Sequence, residues 1–568
     1  MLGTIALLAL CLPACRRESE HNSWASWSPE AQAASPDSAP TPRSARSGSA
    51  EPELPRALID TRFTRATGSV RRVRKGDDLQ AVIDAARPGD ELLLEPGATF
   101  VGNFVLPEKK GSSWIVIRTA AADNELPPEG TRMTPAYASV LAKLVSPNAV
   151  PAIRTALGAH HYRIVAIEAT TSAAVVESFG IVSFGDGSGS QSSLERVAHD
   201  LILDRVYVHG QPRLNLRRCV VLNGASNAVI DSYLSECHDK RYDSQAVAGW
   251  NGPGPFKIAN NYLEGAGENV AFGGGDPTIP GLTPSDIEIR HNHFARPLSW
   301  KGVWLVKNIL ELKHAQRVLI EGNVFENNWV DGQDGFAMVW KSVDQNGTAP
   351  WSVVRDVTFR RNIVRNAGAG VMLAARPESQ PAVPASRVKI VDNVFENISA
   401  EPFRSHGRLF QLLGGPADVT IEHNTALQAN PATCNTAVTI DNSGHKLARF
   451  VFRDNIVTRG QYGVFGQDAG EGTAALDARA EPDWVFNGNV IIGVTHAKYP
   501  PDNSFPRTTA EVGFVNVATG DLHLAATSPY RGKEADGRDP GADIDAVLNA
   551  TRGVVQQSSP TSSAVSQR

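Results

Sequence analysis

A chain of 568 residues with 55 basic and 60 acidic side chains carries a formal charge of −5, too close to balance for a surface built around nucleic acid. Hydrophobic residues make up 42% and charged ones 20%, and no internal apolar run is long enough to cross a bilayer. Five cysteines without a CxxC pair, and no HExxH, exclude the common zinc frames.

The chain opens with MLGTIALLALCLPAC followed by Arg16-Arg17. The apolar run is too short for a span and suits an export signal over residues 1–15. Its end, Leu12-Pro13-Ala14-Cys15, resembles a bacterial lipobox, which implies lipidation at Cys15; an ordinary signal peptide cleaved nearby is the alternative. The expectation is an exported protein, lipid-anchored in the bacterial cell envelope at the outer membrane and touching the membrane only through that anchor. Residues 16–68 are rich in Ser, Pro, Ala, Glu and Arg without periodicity, and read as a disordered tether.

Order is expected from residue 69 to 550. An acidic cap at Asp77-Asp78 precedes Leu79, Val82, Ile83 and Ala86 on one helical stripe. Pro88-Gly89 ends that helix and Glu91–Glu95 reads as a strand. A short amphipathic helix there would close the open end of a repeat fold. Irregular stretches near 120–160 and 180–196 read as loops that overhang one face. Cys219 and Cys237 are close enough in sequence to bridge, or else fill core as thiols, and Cys434 has no evident partner.

Through the middle one frame recurs: apolar strand, Asn, apolar pair. Its slots are Asn261, Asn292, Asn323, Asn362, Asn393, Asn424, Asn455 and Asn489, spaced by 31, 31, 39, 31, 31, 31 and 34 residues. A fixed period of this size means one supersecondary unit stacked on itself. The unit is β-branched and lacks an amphipathic helical stretch, so the fold class is all-β, a parallel β-helix. An inward amide is satisfied by identical amides above and below it, and Asn tolerates the left-handed backbone of a sharp turn.

A second short strand follows each slot, in NILELK and FAMVWK for example. Alternation puts Leu310, Leu312, Met338 and Trp340 inside, with Glu311, Lys313 and Lys341 outside. Stacking would set Lys313 beside Lys341. The eight extra residues between Asn323 and Asn362 mark KSVDQNGTAPW as an inserted loop. Trp300, Trp304, Trp329 and Trp351 either rim a groove or seal coil edges. After residue 550 the Ser-rich end, 551–568, reads as a disordered tail.

The segment GDDLQAVIDAARPGDELLLEPGATF, the Asn frame and the GADIDA ending resemble the right-handed parallel β-helix repeat proteins of the pectate-lyase-like superfamily. That resemblance spans most of the chain and implies a right-handed coil with any site in a groove along one sheet face. The superfamily holds lyases, hydrolases, epimerases and binding proteins, so function must be argued from the site. Polygalacturonase-type NTD and GHG signatures have only NTA at 424 and SHG at 405 here, and neither RxPxxR nor DPHD occurs.

β-Elimination of a uronate needs a cation at the C5 carboxylate, a base and a proton source. Lys313 beside Lys341 suits the base, with Glu311 alongside; Lys341 or Arg241 would neutralise the carboxylate. Glu268 and Asp276, with Glu311, would hold Ca²⁺. Arg241, Asp243, Trp250 and Asn251 in HDKRYDSQAVAGWNGPGPF offer polar and aromatic contacts to a sugar. The first reading is therefore a monomeric, polysaccharide-directed protein that cleaves an acidic substrate by β-elimination. A non-catalytic glycan-binding or structural module is the second, and a glycoside hydrolase using Glu268 with Asp276, or Asp331 with Asp334, is the third.

Overall fold

Each coil of the chain presents apolar side chains on one side of three short strands, and a single coil cannot cover them. The next coil does. The computed structural model describes residues 50–555 apart from 378, 379, 429, 430, 495, 535 and 536. The export signal, Cys15 and most of the expected tether and tail lie outside the described residues. Within them the strands form one sheet of 14 and two of 13, with neighbours in chain-order succession. The fold is a parallel β-helix, and a right-handed coil is the hand that twisted parallel strands favour.

In the coil that carries Asn323 the strands are Ala315–Glu321, Val324–Asn328 and Phe336–Lys341. We call the corresponding sheets first, second and third. Register is residue on residue, so inward columns form: Val270, Leu310, Met338, Val371, Phe410 and Val438 stack in the third sheet. Phe294 lies on Phe325 with ring centroids 4.3 Å apart. Each step advances the coil by about 4.8 Å.

All eight slot asparagines are fully buried. Asn292 donates its backbone N–H and its Nδ2 to Asn323 Oδ1, and Asn323 does the same to Asn362. Ser232 N–H donates to the first rung at Asn261, and Asn503 Oδ1 accepts from the last, Asn489. One expectation is corrected. The left-handed residue is not the Asn but the one before it: Asn260, His291, Gly322, Arg361, Asp392, His423, Asp454 and Gly488 all have φ between 49° and 68°. That residue turns the chain, which frees the Asn to point inward.

Helix Leu79–Ala85 is capped by Asp78, which accepts from Ala81 N–H, and it buries Leu79 and Ile83. Cys219 and Cys237 are joined in a disulfide, with Cα atoms 5.6 Å apart. Cys434 is a buried thiol outside any disulfide, and its Sγ donates to Ile398 O.

The tether expectation is corrected from residue 50 onward. Ala50, Glu53 and Arg56 donate backbone N–H groups to Asp418, Asp356 and Asp286. These aspartates begin first-sheet strands that lie two coils apart. Three residues of chain thus cover two coils, about 3.2 Å per residue, the rise of an extended polyproline-like segment. Pro52 and Pro55 lie between the contacts and favour that conformation. Each aspartate also takes a two-pronged bond from an arginine in the next coil: Arg317 on Asp286, Arg387 on Asp356 and Arg449 on Asp418. The strap continues to Ile59, packed on Ile202, Ala228 and Ile230.

A second run returns from the C-terminal coils. Ala542 N–H donates to Thr425 Oγ1, and helix Ile544–Ala550 buries Ile544 and Val547 in a cluster with Val394 and Ile456. Arg552 O then bonds His291 Nε2, and Val554 O accepts from Arg132. The expected tail is therefore ordered as far as residue 555.

Candidate functional site

On the outer face of the third sheet one column runs Val221, Ala248, Ala271, Glu311 and Val339. Leu312 pairs with Trp340, so Lys313 and Lys341 are successive occupants of the next outward position, as the alternation required. On the N-terminal side the same position is Gly273, where a Cβ would sit 2.7 Å from Lys313 Cβ. The glycine gives that lysine its room.

Behind this surface lies a charged cluster. Lys307 Nζ is 2.8 Å from Asp243 Oδ2, 2.8 Å from Glu268 Oε1 and 3.8 Å from Glu311 Oε2, while Lys313 Nζ is 3.2 Å from that last oxygen. Glu268 Oε2 accepts from Gln245 Nε2 at 2.7 Å. Glu268 and Glu311 are both buried. Burial and the neighbouring carboxylates push the Glu268 carboxyl up to about 7 even against Lys307. Glu311 goes the other way. Burial opposes its charge, but Lys307, Lys313, Lys341 and a hydrogen bond from Glu268 hold it far below the usual carboxylate range. The two carboxyls thus share one proton between unequal environments. Burial alone would strip Lys307 of its proton, yet Glu268, Glu311 and Asp243 keep it charged.

Glu268, Glu311, Lys313 and Asp243 are therefore brought together, and the charge of Lys341 acts on Glu311. Four expected site residues are not part of this cluster. Arg241 turns to Glu177, 2.7 Å away, and stacks on Tyr242. Asn251 is fully buried and spends its amide on Asp186 O and Thr278, so it faces no sugar. Asp276 accepts from Asn346 N–H and from the N–H and hydroxyl of Thr348, which makes it the anchor of the inserted loop. The Glu268–Asp276 calcium pair is corrected on that ground.

Trp250 lies further toward the N-terminal coils. It lines a cleft of about 460 Å³ with Arg154, Phe179, Ser183 and Asn223, and the Arg218 guanidinium lies over its ring. Trp300, Trp304 and Trp329 seal a coil edge around Phe403 and Val306, with His238 stacked on Trp304 at 3.6 Å; they form no rim. Asp331 accepts from Val306 N–H and is a turn residue.

Lys307 was not anticipated. It sits in an irregular stretch ahead of strand Leu310–Leu312, and its one sequence signal was a position four residues before Glu311. A second unanticipated group is His161, His199 and Asp200 at the start of the first sheet, whose ligand atoms lie within 4.8 Å of one another. His161 and Asp200 take the same place in successive coils, between the in-register pairs His160–His199 and Tyr162–Leu201.

No family model and no curated protein sequence matches the chain. Among solved structures it is similar to an alginate lyase from Paenibacillus sp. str. FPU-7, at 11% identity and TM-score 0.27 over 77% of this chain and 99% of that one. It is also similar to the PL6 family alginate lyase AlyGC, at 12% identity and TM-score 0.45 over 87% of this chain and 60% of that one. A third is a family 28 exopolygalacturonase from Yersinia enterocolitica, at 12% identity and TM-score 0.33 over 78% and 80%. The fold assignment rests on the strand registers and not on these likenesses.

Proposed function

We propose that this chain is a polysaccharide lyase that cleaves an acidic, uronate-containing polymer by β-elimination on the outer face of the third sheet. One observation carries the reading: Lys313 and Lys341 stand in adjacent coils beside a buried carboxylate cluster whose Glu311 pairs with Lys313, next to small outward residues. An anionic chain lying across Ala248, Ala271 and Gly273 would meet ammonium groups first.

In this reading the Lys313 ammonium, paired with Glu311 at rest, first gives its proton to solvent, and the free amine then takes the C5 proton. The electron pair forms the C4=C5 double bond, the C4–O4 bond breaks, and O4 leaves with a proton from an ammonium or from solvent. Lys341 lies where it would neutralise the uronate carboxylate and stabilise the charge that develops there. Glu311 orients Lys313 from below, and Lys307 keeps the carboxylates from repelling one another.

Purified protein is to be incubated with a panel of uronic-acid polymers while the ultraviolet absorbance of the 4,5-unsaturated product is followed. Growth of that absorbance, lost in Lys313→Ala, supports the proposal. Reducing ends without it would mean hydrolysis. Binding without any product, indifferent to Lys313→Ala, would mean a recognition module.

We also propose export and lipid anchoring at Cys15. The Cys219–Cys237 disulfide supports an oxidising compartment. Metabolic labelling with a fatty acid, lost in Cys15→Ser, tests the anchor.

A further inference from the structure

We infer that the Lys307 ammonium is the resident cation of the carboxylate cluster, so that the protein needs no divalent metal at this position. Carboxylates placed as these are invite a calcium reading. Glu268 Oε1 and Glu311 Oε1 are buried and accept from no backbone N–H or amide, and the neighbouring Gln245 Oε1 is buried without a hydrogen-bond partner, which is the beginning of an oxygen shell. Calcium takes about six to eight oxygens at roughly 2.3–2.6 Å.

The position is contested by the chain itself. Lys307 Nζ lies 2.8 Å from Glu268 Oε1, the same oxygen a metal would need, and 2.8 Å from Asp243 Oδ2. A metal bound to that oxygen would stand within a few ångströms of a buried ammonium, and two unscreened cations at that separation repel strongly. The Lys307 side chain is only 9% exposed, so it has little route to swing aside. Its backbone is held too, by an N–H bond to Gly267 O.

The cluster has no surplus of negative charge for a metal to neutralise. With Glu268 protonated, as its hydrogen bond to Glu311 requires, Lys307, Lys313 and Lys341 face two carboxylates, Asp243 and Glu311. Asp276, the remaining ligand expected for calcium, spends its Oδ2 on the backbone and hydroxyl of the loop at 346–348. An ammonium offers three donors on a flexible stem, which suits three carboxyl groups where a metal would demand a fuller shell.

The test reads stability and cation binding, so it stands whether or not the protein proves to be a lyase. The full chain is melted in EGTA and in CaCl₂, and calorimetric titration with CaCl₂ counts bound ions. Wild-type protein and the Lys307→Met, Lys307→Arg and Glu268→Gln variants are compared. The expected result is a wild-type Tm indifferent to EGTA and to Ca²⁺. Lys307→Met should melt several degrees lower, regain that loss in CaCl₂ and bind one ion, and Lys307→Arg should behave as wild type. Two results overturn the inference: a wild-type Ca²⁺ response that disappears in Glu268→Gln, or a Lys307→Met protein as stable as wild type without calcium. A wild-type response that survives Glu268→Gln lies elsewhere and leaves this cluster metal-free, as inferred. Should Lys307→Met fail to fold, the wild-type and Glu268→Gln melts still decide.

Discussion

Asn323 Oδ1 accepts two hydrogen bonds from a single neighbour, the backbone N–H of Asn292 at 2.9 Å and its Nδ2 at 3.0 Å. One side chain therefore satisfies two buried donors of the coil before it. Asn261 Oδ1, at the top of the column, serves only the N–H of Ser232. Asn323→Ala should cost about 3 kcal/mol or more, and Asn261→Ala distinctly less, since a buried donor left unpaired costs about 1–3 kcal/mol. Urea denaturation of the two variants checks the order. Equal losses would contradict it.

The strap depends on aspartates that serve two masters. Asp286 accepts from Arg56 N–H at 2.9 Å and from Arg317 at 2.7 and 3.0 Å. Asp286→Ala should loosen the strap and destabilise by about 1–3 kcal/mol. Limited trypsin digestion would then cut faster after Arg56. An unchanged cutting rate would mean that the strap is held by its other contacts.

The raised carboxyl of Glu268 makes a signed pH prediction. Burial keeps it protonated up to about 7, above its value in an unfolded chain. Between those two values the unfolded state has lost the proton and the folded state still holds it. Stability therefore falls as pH rises toward 7 and levels off beyond. Glu268→Gln, which cannot ionise, should remove that slope, so the variant gains on wild type between pH 5 and 8. Chemical denaturation across that range measures it, and parallel curves would count against the assignment.

If Lys313 is the base, Lys313→Ala should lower the rate of unsaturated product formation by roughly 10²–10⁴-fold, the usual contribution of a positioned proton acceptor. Its circular dichroism spectrum and its affinity for the polymer should stay near wild type. Retained turnover would move the base to another residue.

Reduction of the Cys219–Cys237 disulfide, which joins residues 18 apart, should cost about 3 kcal/mol. The Cys219→Ser/Cys237→Ser variant should melt at the temperature of wild type in dithiothreitol. A variant that melts like the oxidised protein would show that coil packing alone sets local stability.

Much of the architecture could be read before any coordinates. The 31-residue spacing of Asn292, Asn323 and Asn393 from their predecessors, and the alternation through Leu310–Leu312 and Phe336–Lys341, set both the stack and the outward position of Glu311, Lys313 and Lys341. Arg241, Asn251 and Asp276 were misplaced for a shared reason. Each lies in a segment outside the repeat, where chemistry-bearing side chains are also what a loop uses to hold itself.

Periodicity is a local property copied along the chain, and a column of identical amides needs the same residue at every turn, so winding and inward face are written in the spacing. Lys307 at the centre of the carboxylates, the strap crossing coils that its own sequence never mentions, and the paired cysteines follow no period. They are contacts between coils, and their geometry depends on the path of each irregular segment over a surface that exists only once the coils have stacked.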